Sequence, residues 1–210
     1  MPVSKAEEKL PFYGKTVETK PPRRVSLEAY FRAEEKSLYK NEFHDGVIKP
    51  MAGGSFNHDN LAQKASMLLN VFVEQNELKY FVNSSDLKIR IESFNKIVYA
   101  DALVICDAPI FFENRNDIIL NPLIVVEVLS DSTKKHDQNV KFEMYQSLPS
   151  FKEYVLVHQD RHHVSVFTKQ TDATWLLKDY DGEDATAILH HLHDCPLSLK
   201  RLYRGLELTK

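Results

Sequence analysis

Cysteine is scarce: Cys106 and Cys195 are the two in 210 residues, far apart and without C-x-x-C spacing. That excludes a disulfide framework and a zinc site built from cysteines, and fits a reducing compartment. Long apolar runs are missing as well, with no window of about 18 apolar residues anywhere. The opening MPVSKAEEKL holds four charged residues and no apolar stretch of a signal peptide. These features lead us to expect a cytoplasmic protein that is neither exported nor membrane-spanning. A basic excess is also absent, since 27 Lys and Arg face 30 Asp and Glu, for a net charge of −3 and a pI near 6.3. Because each phosphate contact needs a Lys or Arg to displace counterions, nucleic acid cannot be wrapped by a uniformly basic surface. One local basic cleft remains compatible with that balance.

What is present is a globular composition, 43% hydrophobic and 27% charged. At about 150 residues per domain the length suits a single α/β domain with appendages. Residues 1–25 mix Lys, Glu and the prolines Pro11, Pro21 and Pro22, and predict an extended or poorly ordered arm. Residues 26–210 form the domain, free of internal repeats. Ser26 caps a short helix carrying Leu27, Tyr30 and Phe31 at helical spacing. NEFHDGVIKP reads as a β-hairpin turning at Asp45-Gly46, followed by a Gly53-Gly54 loop. Leu61, Ala65, Leu68, Leu69 and Phe72 then predict a helix over 58–76, with Asn57 as cap and Asp59 in its first turn. Strands are expected over 85–91, 98–106 and 123–129, and a second helix over 136–148 with Val140, Met144 and Leu148 as its stripe, ended by Pro149. FKEYVLVHQD, HHVSVFTK, TWLLKDYDG and ATAILHHL continue as strands, with Asp181-Gly182 as one turn. The run PLIVVEVLS suits a central strand covered on both faces, so a helix is expected on each side of the sheet.

Glu127 is the anomaly in that strand. Alternation puts Ile124, Val126 and Val128 on one face and Val125, Glu127 and Leu129 on the other, all apolar apart from the acid. A carboxylate there is costly unless it is paired or coordinates a metal. A structural salt bridge to an arginine would also satisfy it. Asp101, in VYADALVICD, supplies a second acid on a neighbouring strand. Two such carboxylates can share one hard cation, because magnesium takes one or two carboxylates with water and phosphate oxygens. Asp137, Lys141 and Tyr145 recur every four residues and share a helix face, which is either a lysine held over the strand ends or a solvated ion pair. Gly53-Gly54 lacks the further glycine and the lysine of a phosphate loop and reads as a turn. His191 and His193 fall on one face of an expected strand without a third zinc ligand. Ser130, Ser132 and Thr133 suit capping, and Lys134, Lys135 and Lys141 make a modest basic patch.

NEFHDGVIKPMAGGSFNHDNL, the acid in YADALVICD and, above all, NPLIVVEVLSDSTKKHDQNVKFEMYQSLPSFKEYVLV resemble the Uma-two family within the PD-(D/E)xK nuclease superfamily. The resemblance covers about residue 26 to the end. It implies a restriction-endonuclease-like α/β fold, with a core of helix, three strands, helix and strand, an N-terminal β-hairpin and C-terminal strands. Asp101 matches the family's first acid, preceded by Ala100 where proline is usual, and Glu127 the second. Leu129 stands where the motif has lysine, and Lys141, followed by Tyr145, matches a lysine moved to the next helix. Lys88 is the alternative cation. Glu42 matches the acid of the hairpin, as a further metal ligand or an orienter, while His58 and Asp86 match recurrent polar positions. The implied activity is hydrolysis of phosphodiester bonds in DNA, with RNA left open, using Mg²⁺ or Mn²⁺ on Asp101, Glu127 and Glu42 in a homodimer. The alternative is a nucleic-acid-binding or regulatory protein that keeps the fold with weak or no catalysis.

Overall fold

The computed structural model describes residues 24–51, 53–130 and 140–208. Of the arm expected over 1–25, only Arg24 and Val25 fall within them, and both dock on the hairpin turn: Val25 N–H donates to Gly46 O at 2.8 Å and Arg24 pairs with Asp45 at 2.7 Å. Ser26 caps helix α1 (Leu27–Glu34), accepting from Ala29 N–H, and the helix buries Tyr30. The hairpin follows as β1 (Asn41–His44) and β2 (Val47–Pro50). Its turn needs positive φ at both central residues, which Asp45 (48°) and Gly46 (87°) supply.

Helix α2 (Phe56–Gln75) buries Leu61, Ala65, Leu68 and Leu69 as the spacing requires. Its cap is Ser55, whose hydroxyl accepts from His58 N–H, and not Asn57, which lies inside the first turn and reaches Glu207 O instead. Strand β3 (Tyr80–Ser84) was not expected; β4 (Lys88–Ile91) occupies the end of the strand expected over 85–91. The single strand expected over 98–106 is two: β5 (Lys96–Tyr99) and β6 (Ala102–Cys106), which belong to different sheets. Ala100 and Asp101 form the corner between them, because one strand that serves two packed sheets must bend where it changes sheet. After β7 (Ile118–Ile119) comes β8 (Ile124–Leu129), every residue of it buried.

Helix α3 (Phe142–Gln146) is a fraction of the helix expected over 136–148, whose first residues lie outside the described ones. Met144 and Leu148 are buried as expected, but Tyr145 is buried too and Val140 is 42% exposed. The winding at Val140 and Lys141 is π-type and wider than the α-helix that follows, and Val140 lies off the buried stripe. Strands β9 (Glu153–His158), β10 (His163–Lys169) and β11 (Trp175–Asp181) form an antiparallel meander, and β12 (Thr186–Leu189) and β13 (Cys195–Ser198) a ribbon before helix α4 (Leu199–Leu202).

Among the described residues the strands make a five-stranded sheet, β2-β1-β5-β4-β7, a six-stranded sheet, β11-β10-β9-β8-β6-β3, and the ribbon. Strand β8 is central, antiparallel to β6 and parallel to β9. One face of the larger sheet, with Ile124, Val126 and Val128, packs on α2, the ribbon and α4. The other, with Val125 and Leu129, packs on α3 and on Ile89, Ile91 and Val98 of the smaller sheet. A second sheet therefore shares the role expected of a helix alone. Beneath α1, Tyr30, Phe43, Ile97 and Ile118 pack on the smaller sheet's outer face.

The segment HHL, expected within a strand, is a 3₁₀ turn (His190–Leu192). The cause is Glu153, a fully buried carboxylate whose Oε1 accepts His190 N–H at 2.8 Å and Thr168 Oγ1–H at 3.0 Å, while Oε2 accepts His191 N–H at 3.1 Å. Burial raises its carboxyl above the ordinary 4.5, against the pull of the His191 and His190 amides and the Thr168 hydroxyl. The folded state thus holds this proton longer than the unfolded chain, and its share of the stability falls as pH rises from 4.5 through the raised value. Glu153→Gln turns an amide N–H₂ against a backbone N–H and should cost about 1–3 kcal/mol in urea unfolding at neutral pH. The gap between wild type and variant should widen as pH is lowered towards 5, and an unchanged gap would contradict the assignment.

Candidate functional site

The bend at Asp101 places a carboxylate beside the end of β8. Asp101 Oδ2 accepts Val128 N–H at 2.7 Å, and His58 Nε2, from the first turn of α2, lies 3.3 Å from the same oxygen. Oδ1 has no hydrogen-bond partner among the described residues. Glu127 lies one residue before Val128, its side chain only 4% exposed. Lys141 Nζ donates to Glu127 Oε1 at 3.0 Å and Tyr145 OH donates to the same oxygen at 2.9 Å. Among the described residues the charged partner of the buried acid is therefore a lysine and not an arginine. Burial, and next the Glu127 charge, push the Tyr145 phenol well above its ordinary 10, so it stays a neutral donor.

Glu42 comes from the other sheet. Its Oε1 accepts Tyr99 N–H at 3.2 Å and its Oε2 lies 2.7 Å from His44 Nε2. Burial alone would raise its carboxyl, but the His44 contact, the Lys141 charge and the Tyr99 amide outweigh it and hold it below 4.5. The charge of Lys141 thus acts on acids from both sheets. Glu42, His44, His58, Asp101, Glu127 and Lys141 line one cleft of about 510 Å³. Three carboxylates, two imidazoles and the ammonium groups of Lys49 and Lys141 share it.

Other expected positions lie elsewhere. Lys88 donates to Asp117 at 2.9 Å, and Arg115 grips the same carboxylate. The Arg115 hydrogen bonds lead in holding Asp117 down to about 2, with Lys88 adding to them against burial. Lys88 is thus held on another carboxylate and does not line the cleft. Asp86 sits on the surface, 85% exposed and 2.7 Å from Lys40. Ser130 lines the cleft, whereas Ser132, Thr133, Lys134, Lys135 and Asp137 lie outside the described residues. His190 pairs with Asp194 and His191 meets Lys169 O, so they do not combine with His193 as zinc ligands.

His44, Lys49, Ser55 and Gln159 also line the cleft and were not expected from the sequence, whereas Gly53 and Gly54, expected as a turn giving backbone freedom near the cleft, line it too. His44 shares a face with Glu42 by the two-residue period of β1, a signal that was available. Gln159 arrives through sheet pairing and carries no local signature.

Among the described residues no three His, Cys, Asp or Glu side chains converge as a ready-made metal cage. The donor chemistry nevertheless fits a hard divalent cation, which takes one or two carboxylates and completes its shell with water and phosphate oxygens. Asp101, with an oxygen left over, and Glu127 on the adjacent strand are the two acids suited to that role.

Comparison with known proteins agrees with this architecture. The chain is 36% identical over 156 residues to the uncharacterized protein sll1609 of Synechocystis, covering 74% of this chain and 87% of that one. A second Synechocystis protein, slr1290, is 32% identical over 161 residues, covering 77% and 83%. A crystal structure from Anabaena variabilis, titled a putative nuclease belonging to DUF820, superposes with a TM-score of 0.66 at 16% identity, over 85% of this chain and 97% of that one, and shares the fold. Residues 27–200 match the family model Uma2, described as "Putative restriction endonuclease", and the chain belongs to that family.

Proposed function

We propose that the protein is a divalent-metal-dependent endonuclease hydrolysing phosphodiester bonds in DNA. The observation that carries this reading is the junction of Asp101 and Glu127 at the β6–β8 strand ends with Lys141 donating to Glu127. Asp101 and Glu127 would hold Mg²⁺ or Mn²⁺, and Glu42 would add a third negative charge to the same cleft. Lewis acidity towards phosphate and water is what such a cation supplies when bound. The chain's own groups do the rest. Lys141 places a positive charge where a scissile phosphate gains negative charge, and a preorganised charge in a partly buried site acts strongly. Tyr145, locked as a neutral donor, fixes the carboxylate that Lys141 touches. The family match and the likeness of fold to a nuclease support the reaction class.

The reading includes a homodimer. Among the described residues strands β3 and β11 are the edges of the larger sheet, with Phe81 52% and Leu176 55% exposed on them, and such edges invite pairing. Two clefts in a dimer suit the two strands of a duplex.

One observation favours a second reading, binding without cleavage: Lys141 and Tyr145 both engage Glu127 Oε1, and no metal cage is ready-made among the described residues. Plasmid cleavage separates the two. With Mg²⁺ or Mn²⁺ the wild type should nick or linearise supercoiled DNA, and Asp101→Asn and Glu127→Gln should each lose at least about 100-fold in rate. Metal and DNA binding without cleavage would establish the second reading instead. A further comparison distinguishes the lysines. Lys141→Gln should lower the rate by about 100-fold or more, while Lys88→Met should keep wild-type cleavage and lose some thermal stability through the lost contact with Asp117, which Arg115 still holds. The opposite pattern would refute the assignment of Lys141.

A further inference from the structure

We propose that Gly54 and His58 are positioning residues for Asp101, with Gly54 supplying the space that lets the imidazole reach the acid. This rests on the reading of Asp101 as a metal ligand and deepens it. His58 is the third residue of α2, and its place is fixed from two sides. Its N–H donates to Ser55 Oγ at 3.2 Å, and Ser55 Oγ–H in turn donates to Gln159 Oε1, beyond the end of β9, at 2.8 Å. The ring folds back on Gly54 so closely that a Cβ there would lie 2.9 Å from Nδ1 and 3.3 Å from Cγ, an approach that only glycine permits without moving the ring. From that seat Nε2 comes to 3.3 Å from Asp101 Oδ2, with the two side chains 22% and 16% exposed.

The acid is therefore held at one oxygen from two directions, by Val128 N–H from the central strand and by the imidazole from α2. With both contacts on Oδ2, rotation of the carboxylate is restricted and Oδ1 is the oxygen left for a cation. Partners of this kind, which orient a ligand without touching the metal, change metal affinity by about 10–100-fold when removed. Gly53 provides the internal comparison, since a Cβ there would meet nothing within 4 Å. The Gly-Gly pair thus divides into a position where a side chain is tolerated and one where it displaces His58.

Mn²⁺ titration followed by electron paramagnetic resonance tests this without reference to cleavage, with thermal melting of each variant alongside. His58→Ala and Gly54→Ala should each bind Mn²⁺ at least about tenfold more weakly than wild type. Gly53→Ala should bind as wild type does, and His58→Gln, which keeps a donor on a comparable stem, should recover most of the loss. The double variant Gly54→Ala/His58→Ala should bind no more weakly than His58→Ala alone, because the glycine acts only through the ring it accommodates. Wild-type affinity in His58→Ala, additive losses in the double variant or no recovery in His58→Gln would overturn the inference while leaving the metal site intact. Failure of the wild type to bind Mn²⁺ would overturn the metal reading beneath it.

Discussion

A carboxylate buried in the central strand constrains everything around it. Glu127 sits in β8 with every neighbour along the strand buried, and removing an ion of this size from water costs several kcal/mol even after relaxation. Lys141 and Tyr145 meet that cost, and α3 must lie against the strand for them to do so. The smaller sheet closes the remaining part of that face and brings Glu42, whose ionised state depends in part on the same lysine. One ammonium thus ties the two sheets together electrostatically, at the place where their shared strand changes direction.

The corner at Ala100 and Asp101 is the second half of the arrangement. Had β5 and β6 continued as one strand, Asp101 would be a ladder residue of a single sheet. As a corner residue it turns its carboxylate onto Val128 N–H and under the first turn of α2. The cleft face of the fold is therefore set by sheet geometry, and the loop of Gly53 and Gly54 adjusts it.

Much of this was legible in the chain. The alternation through PLIVVEVLS identified the face of Glu127, and the four-residue recurrence put Lys141 and Tyr145 on one helix face while leaving a solvated ion pair open; the folded chain brings both to Glu127. The division of 98–106 was not legible, because KIVYADALVIC is apolar apart from Lys96 and Asp101 and periodicity carries no mark of a change of sheet. The 3₁₀ turn at His190 was hidden for a different reason: its determinant, Glu153, lies 37 residues earlier. Gly54 looked like any turn glycine, since the ring it accommodates comes into contact only when α2 starts at Phe56 rather than two residues later. That Lys88 pairs with Asp117 and Lys141 with Glu127 is visible only in the folded chain.

The central claim is that Asp101 and Glu127 share one divalent cation. Crystals grown with Mn²⁺ and measured at an anomalous wavelength test it most directly. The account predicts a single anomalous peak in the cleft, about 2.0–2.6 Å from an oxygen of each carboxylate. A cleft without a peak, or a manganese ion bound elsewhere on the protein, would contradict it.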